Sequence, residues 1–139
     1  MILNRVSIEK RPAVVDQRSR IGDWEIDTII GAHHQGVLLS LVERKSRLCL
    51  IARLANKSAQ EVERTTINLL DSIKEKVHTV TSDNGKEFAK HESIAKNLDA
   101  QFFFAHPYAS WERGLNENTN GRVPRRRTEG RSLSCSYAA

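Results

Sequence analysis

Cysteine is scarce, with two in 139 residues, and Cys49 and Cys135 do not make a disulfide framework or a metal cluster. Long hydrophobic runs are missing too. The longest strongly apolar stretch, Val37 to Val42, falls far short of the about 20 residues that a membrane-spanning helix needs. No sustained apolar segment follows Met1-Ile2-Leu3-Asn4-Arg5, so no secretory signal is visible and a cytoplasmic protein is expected. Internal repeats are absent, and the one biased segment is an arginine-rich tail.

A surplus of acid is also lacking, for the net charge is +5 and the pI near 9.5. Its placement matters more than its sign. From Arg122 onward five arginines face one acid, whereas the preceding residues carry 17 Lys and Arg against 16 Asp and Glu. The body is close to neutral, so basicity alone does not argue for nucleic acid. A hydrophobic content of 39% with 28% charged residues suits one globular domain of modest core.

The chain divides by texture. Residues 1–20 are polar and mixed in charge and read as a linker or the end of a missing N-terminal region. Residues 21–121 read as the domain, and 122–139 as a disordered or out-of-frame tail. Trp24 to Ile30, Val37 to Val42 and Leu48 to Ala52 are β-branched or aliphatic runs separated by short turns, which predicts an antiparallel meander. Ser58, with Glu61 three residues later, predicts a capped helix whose stripe is Val62, Thr66, Leu69, Leu70 and Ile73. Strands over Val77–Thr81 and Gln101–Phe104 bracket a helix over Phe88–Leu98, and a last helix is expected after Pro107, running past Glu117. The order β-β-β-α-β-α-β-α predicts an α/β domain with a mixed five-stranded sheet flanked by helices.

Three carboxylates interrupt this pattern. Asp27 sits among Trp24, Ile26, Ile29 and Ile30, where an ionised group is costly unless it is paired, metal-bound or turned to water at the strand end. Asp83 follows an apolar strand, which suits either a plain Asp-Asn-Gly turn or a ligand at a strand end. Glu117 lies in a segment rich in Asn and Gly, where Ser110, Gly114, Glu117 and Gly121 share one helical face. Small residues there would let the helix approach a sheet while the single acid projects; a solvated glutamate is the bland alternative, and it does not account for so many poor helix formers. If the three meet, their repulsion calls for cations. Two hard divalent ions about 3.5–4 Å apart suit oxygen ligands and in-line phosphoryl chemistry.

Four blocks carry a resemblance: Gly22-Asp23-Trp24-Glu25-Ile26-Asp27, Leu41-Val42-Glu43-Arg44-Lys45-Ser46-Arg47, Thr81-Ser82-Asp83-Asn84-Gly85-Lys86-Glu87-Phe88, and Ser110-Trp111-Glu112-Arg113-Gly114 with Asn116-Glu117-Asn118-Thr119-Asn120-Gly121. Together they resemble the IS-thirty family of bacterial insertion-sequence transposases, members of the DDE group that share a ribonuclease-H-like catalytic fold with retroviral integrases. The likeness spans about residues 20 to 121, with 33 residues between Asp83 and Glu117.

The resemblance implies that Asp27, Asp83 and Glu117 are the catalytic, metal-binding triad for Mg²⁺ or Mn²⁺, two ions being expected in the active complex. It implies metal-dependent phosphodiester hydrolysis at transposon ends and transfer of the freed 3′-hydroxyl to target DNA. DNA and further copies of the chain are the expected partners, in a bacterial cytoplasm. Asn84, Arg113, Asn116 and Asn118 are candidates to orient carboxylates or touch the DNA backbone. Trp24 and Trp111 are expected to pack, and the His33-His34 pair to be solvated in a turn.

Departures are also present. Ile26 stands where a small residue is usual. No helix-turn-helix precedes residue 20, and Pro124 with Arg125-Arg126-Arg127 replaces an apolar helix, which suggests truncation and a shifted frame. An inactive remnant that keeps the fold is therefore the alternative expectation, while the block from Trp111 to Gly121 argues against a free-standing ribonuclease H.

Overall fold

The computed structural model describes residues 2–31 and 36–106, together with the strand at 135–138. Strands β1 (Asp23–Ile30), β2 (Val37–Glu43) and β3 (Cys49–Leu54) form the expected antiparallel meander. Its register sets Asp27 opposite Ser40 and Ser40 opposite Ile51. Helix α2 (Ala59–Leu70) carries the chain to β4 (Thr79–Ser82), which runs parallel to β1. Helix α3 (His91–Leu98) then leads to β5 (Gln101–Phe104), parallel to β4. The sheet order is β5-β4-β1-β2-β3-β6.

The sixth strand, β6 (Cys135–Ala138), was not anticipated. It comes from the end of the tail and pairs in parallel with β3, with Cys49 opposite Cys135. Cys49 is disulfide-bonded, contrary to the reading that kept the two cysteines separate. Residues 122–134 and the expected final helix lie outside the described residues.

One face of the sheet makes the main core. Trp24 and Ile26 of β1, and Leu39 and Leu41 of β2, pack under Val62 and Leu70 of α2 and Ile94 and Leu98 of α3. Phe88, Phe102 and Phe104 close the end beside His91, whose ring meets Phe104 edge-on at 4.9 Å. Each such side chain contributes about 1.5–3 kcal/mol through removal from water. Trp24 is therefore a packing residue, as the sequence suggests.

The helix starts follow local chemistry with one departure. The Ser58 hydroxyl accepts from the Glu61 amide at 3.2 Å, as a capping residue should. The return arm of the box is absent: the Glu61 carboxylate accepts from Ala55 N at 2.8 Å, and Ser58 N donates instead to Asn56 Oδ1. Phe88, predicted inside a helix, closes a 3-10 turn over Lys86–Phe88 before α3 begins.

Residues 2–20, read as a linker, pack on the domain. A 3-10 turn (Ile8–Lys10) and the short helix α1 (Ala13–Gln17) place Val15 in full burial and Arg11 at 8% exposure. Ser7 bridges to Phe104, and Phe104 N donates to Val6 O at 2.8 Å. Just before β1, Gly22 adopts φ +120° and a Cβ there would lie 2.6 Å from Lys76 O, so both backbone and space call for glycine.

Candidate active site

The second face of the sheet carries a row of acids beside a small apolar cluster of Val42, Cys49 and Ile51. Alternation along β1 puts Asp23, Glu25 and Asp27 on that face, and each acid meets a different environment. Asp23, fully buried, accepts from Arg20 at 2.9 and 3.0 Å and from the Thr79 hydroxyl at 2.9 Å. The hydrogen bond to Asp23 holds the Arg20 guanidinium above its ordinary pKa, with the carboxylate charge assisting. Glu25 pairs with the buried Arg44, whose Nε also donates to Val15 O at 3.0 Å. Beside them Arg11 links the Thr81 hydroxyl, at 3.1 Å, to Asp16 at 2.5 Å.

Asp27 comes next along this row, half-buried, its Oδ1 accepting from Thr28 N at 2.9 Å. Parallel pairing of β1 with β4 ends at Glu25 opposite Thr81. Two residues further along each chain stand Asp27, still within β1, and Asp83, just past the end of β4, so the register directs both toward one end of the sheet. Adjacent strands lie about 4.8 Å apart, a separation that two carboxylates can share across one cation. Asp83, also half-buried, is fixed by an Asx turn in which its Oδ1 accepts from Gly85 N at 2.9 Å.

Ser40, cross-strand from Asp27, is fully buried, and its hydroxyl has no hydrogen-bond partner among the described residues. The local donor set is thus all oxygen: two carboxylates with a hydroxyl beside one of them. That chemistry fits a hard divalent ion and not a thiophilic one. Among the described residues no group of three or more His, Cys, Asp or Glu is gathered tightly enough to hold a metal. Glu117, the expected third ligand, lies outside those residues, as do Arg113, Asn116, Asn118, Trp111 and the His33-His34 pair.

Asn84 is within the described residues and is engaged by the protein itself. Its Nδ2 donates to Ala105 O at 2.5 Å and its Oδ1 accepts from Arg5. It ties the loop after β4 to the end of β5 and to the N-terminal segment, which fixes the loop that carries Asp83.

Two acids escaped the sequence reading. Glu43, 1% exposed, accepts from Gly22 N at 2.9 Å, Ser46 N at 2.6 Å and Lys45 N at 3.1 Å, and so organises the β2–β3 turn against the start of β1. Glu87, 6% exposed, accepts from the Thr28 hydroxyl at 2.8 Å. Burial among distant partners has no local signature. The only clue was that both stand in the quoted blocks. No helix among the described residues is long and apolar enough to cross a membrane.

Comparison with known proteins points one way. The model of the integrase core domain family matches residues 17–110. The chain is 46% identical over 133 residues to the transposase for insertion sequence element IS4351 of Bacteroides fragilis, covering 96% of this chain and 41% of that protein. It is 32% identical over 123 residues to transposase InsI for insertion sequence element IS30A of Escherichia coli K12, covering 88% of this chain and 32% of the relative. The chain thus spans less than half the length of these relatives. Its fold is similar to that of the catalytic core domain of BIV integrase, with a TM-score of 0.59, 21% identity, and 77% of this chain and 72% of that one covered.

Proposed function

The chain belongs to the integrase core domain family, and from that premise we propose that it is the catalytic domain of an insertion-sequence transposase. Its work is metal-dependent hydrolysis of DNA phosphodiesters and transfer of the freed 3′-hydroxyl to target DNA. The observation that supports this reading is the parallel register of β1 and β4, because Asp27 and Asp83 each follow two residues after its last pair, Glu25 opposite Thr81.

In this reading Asp27, Asp83 and Glu117 hold Mg²⁺ or Mn²⁺, two ions in the active complex. Divalent ions supply Lewis-acid activation of the scissile phosphate and of the attacking oxygen. The protein's own task is placement. The Asx turn at Asp83 and the amide of Thr28 at Asp27 restrain the two carboxylates before substrate arrives, which lowers the ordering cost of the reacting geometry. Below them Arg44 pairs with Glu25 and Arg20 with Asp23, which offsets the charge of the buried acids on the same face. Transposon ends and target DNA are the partners, with further copies of the chain in the active assembly. Arg113, Asn116 and Asn118 serve phosphate or carboxylate contacts, and the arginines beyond residue 121 add a salt-sensitive backbone contribution.

Nicking of a supercoiled plasmid tests the reading. Wild type with Mg²⁺ or Mn²⁺ should open the circle, and Asp27→Asn, Asp83→Asn and Glu117→Gln should each abolish nicking, as should a chelator. Nicking that persists in all three variants would overturn it. Metal binding without any nicking would favour a remnant that keeps the fold alone.

A further inference from the structure

We propose that Glu87 is a positioning residue whose carboxylate, through Thr28, holds β1 and the loop after β4 at the spacing that lets Asp27 and Asp83 share a cation. This inference rests on the reading of the site given above. The problem it solves is visible in the sheet. Backbone pairing of β1 with β4 stops at Glu25 opposite Thr81, so Asp27 and Asp83 lie beyond the last rung between these two strands. Beyond that rung β1 is held by β2 as far as Ile30 and β4 by β5 as far as Ser82, so the spacing between β1 and the loop after β4 depends on side chains.

The Thr28 hydroxyl donates to Glu87 Oε2 at 2.8 Å, and this bond joins the residue after Asp27 to the turn that follows Asp83. Thr28 projects to the face opposite Asp27, so the link sits behind the site and leaves the cation side open. Glu87 is 6% exposed, which shields the bond from competing water and makes an ionised acceptor strong. Lys57, ahead of α2, stands 3.8 Å from the same oxygen and offsets its charge.

Gly85 makes the seating possible. A Cβ there would lie 2.3 Å from Glu87 Oε1 and within 2.8 Å of the other carboxylate atoms. Its backbone, φ −66° and ψ 146°, is open to any residue. Glycine thus leaves room for the Glu87 carboxylate in this position, and a Cβ would displace that side chain without straining the backbone. Gly85 N also holds Asp83, so one short loop carries both the ligand and the strut.

The test titrates Mn²⁺ into the full 139-residue chain, following free Mn²⁺ by electron paramagnetic resonance, with circular dichroism as a check of folding. Thr28→Val removes the hydroxyl with little change of shape, and Gly85→Ala dislodges the Glu87 carboxylate without deleting it. Each should weaken Mn²⁺ binding about tenfold, the loss typical of a group that orients a ligand from behind. Thr28→Ser should bind as wild type, and Glu87→Gln added to Thr28→Val should cost nothing further because both act through one bond. If Asp83→Ala abolishes binding while Thr28→Val and Gly85→Ala bind as wild type, the strut is overturned and the site survives. Equal losses in Thr28→Ser and Thr28→Val would reduce the effect to packing and overturn it as well. If Asp83→Ala itself binds Mn²⁺ as wild type does, the site reading falls, and the strut's purpose with it.

Discussion

Trp24, Ile26, Leu39 and Leu41 line one face of the sheet, while Asp23, Glu25, Asp27 and Ser40 line the other, all eight from the same two strands. The apolar face is stabilised by area removed from water and needs no particular partner for any one residue. The polar face is stabilised residue by residue: Asp23 by Arg20 and Thr79, Glu25 by Arg44. The contrast teaches that burial of charge in this domain is a specific arrangement. Acids deep in the row are tied to named arginines, whereas Asp27, further along it, is half-buried and accepts from the Thr28 amide.

The largest effect should come from breaking that arrangement. Glu25→Ala leaves the Arg44 guanidinium buried without its carboxylate and should cost about 3–5 kcal/mol in chemical denaturation. Replacing both residues with apolar ones of similar size should recover most of the loss, as expected where desolvation offsets attraction. A cost below about 1 kcal/mol for Glu25→Ala, the value typical of exposed pairs, would mean that the polar face is not held by its ion pairs.

On the apolar face, Leu41→Ala should lose about 2–5 kcal/mol through lost transfer energy and a residual cavity. Its sharper use is in combination. Leu41 and Glu25 lie on opposite faces, so their losses should add within about 0.5 kcal/mol, and strong coupling would dissolve the distinction between the faces.

Much of this was legible beforehand, for reasons that differ by element. The meander and both crossover helices follow from runs such as Val37–Val42 and from the Val62-to-Ile73 stripe, where pattern and packing agree. Asp27 and Asp83 stood out because each breaks or ends an apolar strand. The N-terminal segment did not stand out: a five-residue helix with one apolar pair leaves too short a signal, although Val15 and Arg11 are buried. β6 is four residues long and draws its stability from the β3 edge, which no local pattern announces. The role of Glu87 was invisible because Thr28 lies 59 residues away, and that of Glu43 because its link to Gly22, 21 residues away, adds to turn contacts that any acid could make.

Smaller effects belong to the helix surface. Ser58→Ala should cost about 1 kcal/mol by removing the cap of α2, read from the denaturation midpoint. Smallest is the Glu61–Arg64 contact. The hydrogen bond from Arg64, then that from Ala55 N, holds the Glu61 carboxyl below its ordinary pKa. A depressed folded-state pKa means stability that is present above the unfolded value and fades as pH falls through the folded one. Melting midpoints of wild type and Arg64→Ala should differ slightly at neutral pH and converge in acid, and a gap that widens in acid would contradict the assignment.

The central claim concerns oxygen atoms, so a crystal grown with Mn²⁺ and measured for anomalous scattering addresses it most directly. A manganese peak is expected at coordination distance, about 2.0–2.6 Å, from the carboxylates of Asp27 and Asp83, with Glu117 completing the set. A peak seated elsewhere, with the Asp27 and Asp83 side chains turned to separate surroundings, would contradict it.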